Sequence, residues 1–304
     1  MVKRINRAIE LLDDDQPIYY TGLHSFSRDF LSYEQGKKDS KIWADYINIG
    51  MEHGAFDMGG LEAYMDGLVD GGPTPSGHVT PTVIVELPVQ GENAEVIRYN
   101  AWQIRQILAR GVHGILLCEA TTAEAVAAFV ESCRYKLNEI GVGYGLQDGT
   151  RGVGSEFKAK LKWGLEDDNE YRAKADPWPL NPKGELMLGL KIEDRYCLPD
   201  ADNIAAVAGL SFAEWGPGDM GMSHGDPDLH DPPYTPEMDK AREIVKDACK
   251  ASGLSFLCSW QDPNLTVEER TRHALFEEGA RILHVPDKEI ADTIRKEMGR
   301  EMPW

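Results

Sequence analysis

The chain has 304 residues, an apolar fraction of 42% and only 9% aromatics, which suits one soluble globular α/β unit with a substantial core. Its formal charge of −19 excludes a phosphate backbone or an anionic membrane surface as the natural partner. Five cysteines without a Cys-x-x-Cys pair exclude a disulfide framework or structural zinc site, and no window approaches about 18 apolar residues. The expected setting is the cytoplasm.

Short apolar runs recur along the chain with helical stretches between them. The expected strands are Ile18–Thr21, Tyr46–Gly50, Thr82–Leu87, Gly114–Leu117, Leu186–Ile192, Leu210–Trp215, Ser255–Ser259 and Ile282–Val285. They are rich in Ile, Leu and Val, as strands buried on both faces should be. Helical spacing appears at Ala101–Arg110, Thr122–Arg134, Pro236–Ser252, Val267–Glu278 and Asp287–Met298. Thr121-Thr122-Ala123-Glu124 reads as a capping box for the second of these. Eight strands alternating with helices predict a (β/α)₈ TIM barrel occupying residues 1–304 as a single domain. The rhythm breaks at 137–183, a long excursion rich in Gly, Pro and charge, and at 226–236, a Pro-rich loop.

The strongest chemical signal is a pair of acids. Glu193 ends the fifth apolar run and Asp219 follows the sixth, delivered by a Gly-Pro-Gly turn. Strands of such a fold point their C-terminal ends at one face, so two carboxylates there predict an oxygen-rich site for a divalent cation, Mg²⁺ or Mn²⁺, with Co²⁺ also compatible. Other residues reach the same face. His53 is either an ordinary loop histidine or a general acid–base near neutral pH. Glu86 with Leu87 closes the third run, and Cys118 with Glu119 the fourth. Lys191 lies two residues before Glu193 and shares its side of the strand, as a salt bridge organising the mouth or as a substrate contact. Trp260 follows the seventh run and either packs or lines a pocket.

Three segments resemble the core of the HpcH/HpaI aldolase family: Leu188-Gly-Leu-Lys-Ile-Glu-Asp-Arg, Asn203-Ile-Ala-Ala-Val-Ala-Gly-Leu and Trp215-Gly-Pro-Gly-Asp-Met-Gly-Met-Ser. Glu52-His53, Gly22-Leu23 and Arg151-Gly-Val-Gly support the likeness, which spans roughly residues 17–290. The resemblance implies a barrel that carries out divalent-metal-dependent carbon–carbon bond chemistry on a small carboxylate, a 2-oxo acid. It also implies a homo-oligomer, a hexamer or trimer of dimers, with the last helix exchanged between subunits. By motif position Glu193 and Asp219 would hold the metal, the backbone at Gly218 and Asp219 the substrate carboxylate, and His53 a proton.

The chain departs from the family at four places. Leu87, or Glu86 with a one-residue slip, stands where the family has an arginine facing the substrate, and Lys191 stands for a glutamine. Gly50 replaces an aspartate that orients the histidine, and His24 an aromatic of the substrate pocket. Lys191 is the expected source of the missing positive charge, with Arg98 the other candidate. The expected function is a metal-dependent aldolase-type lyase. A decarboxylase or hydratase on the same scaffold, or a non-catalytic acid-binding barrel, are the alternatives.

Overall fold

The eight apolar runs become strands, and with a short extra one there are nine among the described residues: β1 (Ile18–His24), β2 (Tyr46–Gly50), β3 (Thr82–Gln90), β4 (Gly114–Cys118), β5 (Pro177–Trp178), β6 (Leu186–Lys191), β7 (Phe212–Trp215), β8 (Ser255–Cys258) and β9 (Ile282–His284). The computed structural model describes residues 3–24, 31–226, 228 and 232–301, without the side chains of Leu23 and His24. Pairing runs β1–β2–β3–β4–β6–β7–β8–β9, all parallel, and β9 returns to β1 through Ile18↔Ile282. Eight parallel strands therefore close a barrel, and the two-residue β5 adds only to the side of β6. The (β/α)₈ architecture is the one expected from the sequence.

The described residues also form twelve α-helices: α1 (Arg7–Asp13), α2 (Tyr33–Asp39), α3 (Met58–Gly71), α4 (Ala94–Leu108), α5 (Ala123–Cys133), α6 (Glu156–Lys162), α7 (Asp168–Lys174), α8 (Ala201–Ala205), α9 (Pro217–Ser223), α10 (Pro236–Ser252), α11 (Val267–Phe276) and α12 (Lys288–Glu297). The first helix expected from spacing begins seven residues early, because Asn93 rather than a residue near Ala101 caps α4. The capping box expected at Thr121–Glu124 does not form. Thr122 caps α5 through the Ala125 N–H, whereas Thr266 and Glu269 make the reciprocal pair at α11. The excursion at 137–183 contains α6, α7 and β5, whose short lengths left no readable period.

Two apolar layers hold the barrel. Outward-facing strand residues such as Ile47, Val85, Leu117 and Leu190 pack under the helices. The interior holds one residue from each barrel strand, namely Ile18, Tyr46, Ile84, Leu116, Met187, Phe212, Leu257 and Ile282. Gly189 is needed here, since a Cβ on it would strike the Phe212 ring. Ala8, Ile9 and Leu11 of α1 join this cluster and close the N-terminal end of the barrel.

The last helix, which the resemblance implies is exchanged between subunits, packs in this chain on its own barrel. Asp45 receives Arg295 at 3.0 Å and Arg300 at 2.8 Å, and its carboxylate also accepts the Tyr19 N–H at 2.9 Å. Burial alone would raise the Asp45 carboxyl, but the two guanidiniums outweigh it and hold the group below its ordinary range.

Candidate active site

Two residues beyond each interior apolar position, side chains point inward again, now at the C-terminal mouth. Seven such residues line one cavity of about 560 Å³: Tyr20, Asn48, Glu86, Lys191, Glu214, Ser259 and His284. Lys191 lies four residues beyond Met187, because Gly189 occupies the intervening inward place. Asn48 donates to Glu86 at 2.7 Å and Ser259 to Glu214 at 2.7 Å, so each buried carboxylate keeps a neutral donor.

Glu193 and Asp219 line the same cavity, following the neighbouring strands β6 and β7. Glu193 is only 2% exposed, and its Oε1 accepts the Glu119 N–H at 3.0 Å. Glu119 supplies that donor from a left-handed backbone with φ 45°, a conformation costing a non-glycine residue about 1–2 kcal/mol. Gly216 is the partner of this arrangement, since a Cβ there would collide with Glu193 Oε2. Burial pushes the Glu193 carboxyl well above its usual range, with Lys191 and the Glu119 N–H opposing. Asp219 sits in the first turn of α9, half-buried beside Gly218.

Glu52 joins them from the turn after β2. Its carboxylate comes within 4.8 Å of ligand atoms of His53 and Asp219 in one group, and of Cys118 and Glu193 in another. Lys191 Nζ donates to Glu52 Oε2 at 2.7 Å and lies 3.8 Å from Glu86. Burial would raise Glu52, yet the ammonium beside it holds the carboxyl below its ordinary value. Burial likewise works against the Lys191 charge, but Cys118, Glu193, Glu214 and Glu86 around it raise its pKa. Lys191 is thus engaged by acids of the mouth. Burial lifts Glu214 to about 7, with Lys191 opposing and Glu86 adding to the effect.

The remaining sequence candidates divide. Gly218 and Trp260 line the cavity, and Trp260 stacks on His273 at 4.2 Å. His53 is 63% exposed on the rim, its Nε2 3.5 Å from Glu52 Oε2. Leu87 does not reach the site. Strand alternation turns it outward, fully buried beneath the helices, while Glu86 takes the inward place. Arg98 lies away from the cavity and pairs with Glu131 at 3.8 Å. His24 ends β1, but its side chain lies outside the described residues. Glu52 was read from sequence only as part of the Glu52-His53 match and given no role, and Glu214 and Arg270, which both line the cavity, were not singled out. The period-2 pattern that places Lys191 inward would also have placed Glu214, two residues past Phe212.

Residues 89–283 match the family model described as HpcH/HpaI aldolase/citrate lyase. The chain belongs to this family. A hydroxypyruvate/pyruvate aldolase of Chromohalobacter salexigens is 28% identical over 191 residues, 61% of this chain and 66% of that protein, so the match spans just under two thirds of the relative. An HpcH/HpaI aldolase/citrate lyase family protein from Burkholderia cenocepacia superposes with a TM-score of 0.66 at 19% identity, covering 96% of this chain and 97% of that one. The citrate lyase beta subunit of M. tuberculosis, complexed with oxaloacetate and magnesium, gives a TM-score of 0.51 at 16% identity, over 92% and 96% of the two chains. These structural likenesses speak to the fold.

The donor set of this HpcH/HpaI chain suits a hard divalent ion. Glu52, Glu193 and Asp219 offer carboxylate oxygens around one opening, and Glu86 and Glu214 add negative charge beneath. Against them stand Lys191, already paired, and Arg270. A buried carboxylate such as Glu193, which has no ion pair among the described residues, gains most from a bound cation.

Proposed function

We propose that the protein is a divalent-metal-dependent carbon–carbon lyase of aldolase type, acting on a 2-oxo acid with a hydroxyl at C4. The observation that carries this reading is the opening of Glu193 and Asp219 onto one cavity, with Glu52 within 4.8 Å of a carboxylate oxygen of each. Family membership and the kinship with a hydroxypyruvate/pyruvate aldolase support a pyruvate-type fragment as the product. When bound, Mg²⁺ or Mn²⁺ would supply Lewis-acid withdrawal of electron density from the substrate's keto oxygen.

The protein's own residues do the rest. Glu193 and Asp219 hold the cation, and the Glu119 N–H fixes the orientation of Glu193. Lys191 neutralises Glu52 and keeps it from repelling an anionic substrate. Gly218 and the Asp219 backbone hold the substrate carboxylate. His53 Nε2 takes the proton of the C4 hydroxyl as the C3–C4 bond breaks. Its return to C3 completes an aldehyde and a 2-oxo acid. The free, buried thiols support a cytoplasmic setting. We also infer a homo-oligomer, hexameric or a trimer of dimers, which sedimentation would test.

Product analysis decides the reaction. The purified protein, stripped of metal and then reloaded with Mg²⁺ or Mn²⁺, is offered a panel of 4-hydroxy-2-oxo acids and 3-oxo acids. Metal-dependent release of aldehyde and 2-oxo acid is the expected result. Release of CO₂ or addition of water instead would mark a decarboxylase or hydratase. No turnover, together with no divalent-ion binding, would leave an acid-binding barrel.

A further inference from the structure

The excursion at 137–183 helps to enclose a second cavity, of about 240 Å³, which the lyase reading does not use. Its lining includes residues just before β3, β4 and β6, so it lies at the end of the barrel opposite the acidic mouth. Lys3, Arg4, Lys162 and Lys174 line it against one acid, Glu185, in a chain with 51 acidic side chains and 32 Lys and Arg. Arg4 is engaged by Asp13 at 2.6 Å and by the carbonyls of Pro182 and Gly184, and Lys3 pairs with Asp14 at 3.1 Å. Lys162 ends α6 and reaches Asp66, which lies outside the lining. Lys174 ends α7 and makes no ion pair among the described residues, feeling only a longer-range attraction to Glu185.

Two neutral groups stand beside these lysines. His113 is 1% exposed, and its Nδ1 accepts the Val83 N–H at 3.2 Å. Burial, with His78 adding to it, lowers the His113 pKa to about 3, so the ring is neutral and carries its proton on Nε2. Trp163 covers one face of the ring, with centroids 5.7 Å apart and planes 15° from parallel. The Nε2 edge is what remains for the cavity, and it has no acceptor among the described residues. Thr80 is 2% exposed, and its Oγ1 is buried without a hydrogen-bond partner. Buried polar groups left unmade are costly, and both of these belong to the lining of one cationic cavity.

We propose that this cavity is a binding site for a phosphate group, free or carried on a small metabolite, held by Lys174 and Lys162 with the His113 Nε2–H and the Thr80 hydroxyl as neutral donors. The site is independent of the lyase chemistry at the other end. Lysines meet phosphate as point charges, and these donors come from two helix ends and two strand approaches, as a tetrahedral oxyanion requires. A flat carboxylate is best met by a guanidinium fork, and Arg4 is already engaged.

Metal-stripped protein is titrated calorimetrically with inorganic phosphate, with glycerol 1-phosphate and with malonate. Without metal the acidic mouth repels all three, so the heat reports the opposite end. One phosphate ligand per chain is expected, with Kd below about 1 mM, weakening as NaCl is raised, and malonate should bind about tenfold more weakly or worse. Tighter binding of glycerol 1-phosphate than of the inorganic ion would assign the site to a phosphorylated metabolite, and the reverse order to free phosphate. Lys174→Gln should weaken phosphate about tenfold, and Thr80→Val about threefold with the unfolding temperature in phosphate-free buffer unchanged or raised. No heat up to about 10 mM phosphate, malonate binding as well as phosphate, or affinities untouched in both variants overturns the proposal.

Discussion

The lower and upper halves of the barrel interior are built by the same strands only two residues apart, yet they obey opposite rules. Below, Ile18, Tyr46, Ile84, Leu116, Phe212, Leu257 and Ile282 form an apolar plug whose one polar group is the Tyr46 hydroxyl. Above, the next inward positions on those strands are Tyr20, Asn48, Glu86, Cys118, Glu214, Ser259 and His284, and each carries a group able to bond or ionise. The lower layer gains stability from every residue. The upper layer spends stability, because Glu193 and Glu214 are carboxylates kept where burial disfavours their charge. A barrel of this kind separates holding from reacting along the strand rather than between domains.

That division can be broken from either side. The largest effect is expected in the mouth: Glu193→Gln should lower kcat/KM by about a thousandfold and weaken Mn²⁺ binding, with the melting temperature unchanged or raised. Steady-state kinetics with calorimetric titration of Mn²⁺ checks it, and retained metal affinity would remove Glu193 from the ion's shell. In the plug, Phe212→Ala should cost about 3–5 kcal/mol of unfolding free energy, read by urea denaturation, while metal affinity of the folded fraction stays put.

A subtler test uses pH. Glu214 titrates near 7 in the folded protein against an ordinary value of 4.5, so the folded state binds this proton more tightly than the unfolded one. Its contribution is therefore fully present below about pH 4.5 and is lost as pH rises to about 7. Glu214→Gln should remove that loss, stabilising the protein at pH 8 by on the order of 2–3 kcal/mol relative to its effect at pH 4. Denaturation midpoints across the range measure it, and parallel curves for the two proteins would refute a buried titrating Glu214. The smallest change belongs to Leu87, where Leu87→Met should cost under about 1.5 kcal/mol and leave KM alone. A shifted KM would return Leu87 to the substrate pocket.

The eight barrel strands were legible because each is buried on both faces and reads as an unbroken apolar run. The acid pair was legible because Glu193 and Asp219 sit where such runs stop. What escaped was register. Counting from Pro88 put Leu87 at the mouth, but alternation from Thr82 and Ile84 puts Glu86 there, and only the pairing Gly50↔Glu86 fixes which of the two faces inward. Glu52 escaped for a different reason. It belongs to a turn, and its value comes from Lys191, 139 residues away in sequence. Arg270 carried no signal at all, since an arginine on an amphipathic helix usually has an acid within reach. The short α6 and α7 were hidden by the same Gly- and Pro-rich composition that made their segment look irregular.

Asp45 links events at opposite ends of the chain. It stands just before β2, yet it takes in Arg295 and Arg300 while its neighbour across the sheet, Tyr19, donates from β1. A proteolytic nick after Gly299 would carry away one of these partners and leave a sealed-in negative charge half satisfied. The seam between the first and last strands would loosen without any cut in the barrel itself. Resistance to proteolysis at this segment should then rise and fall with the cohesion of the whole ring, which makes it a reporter of closure.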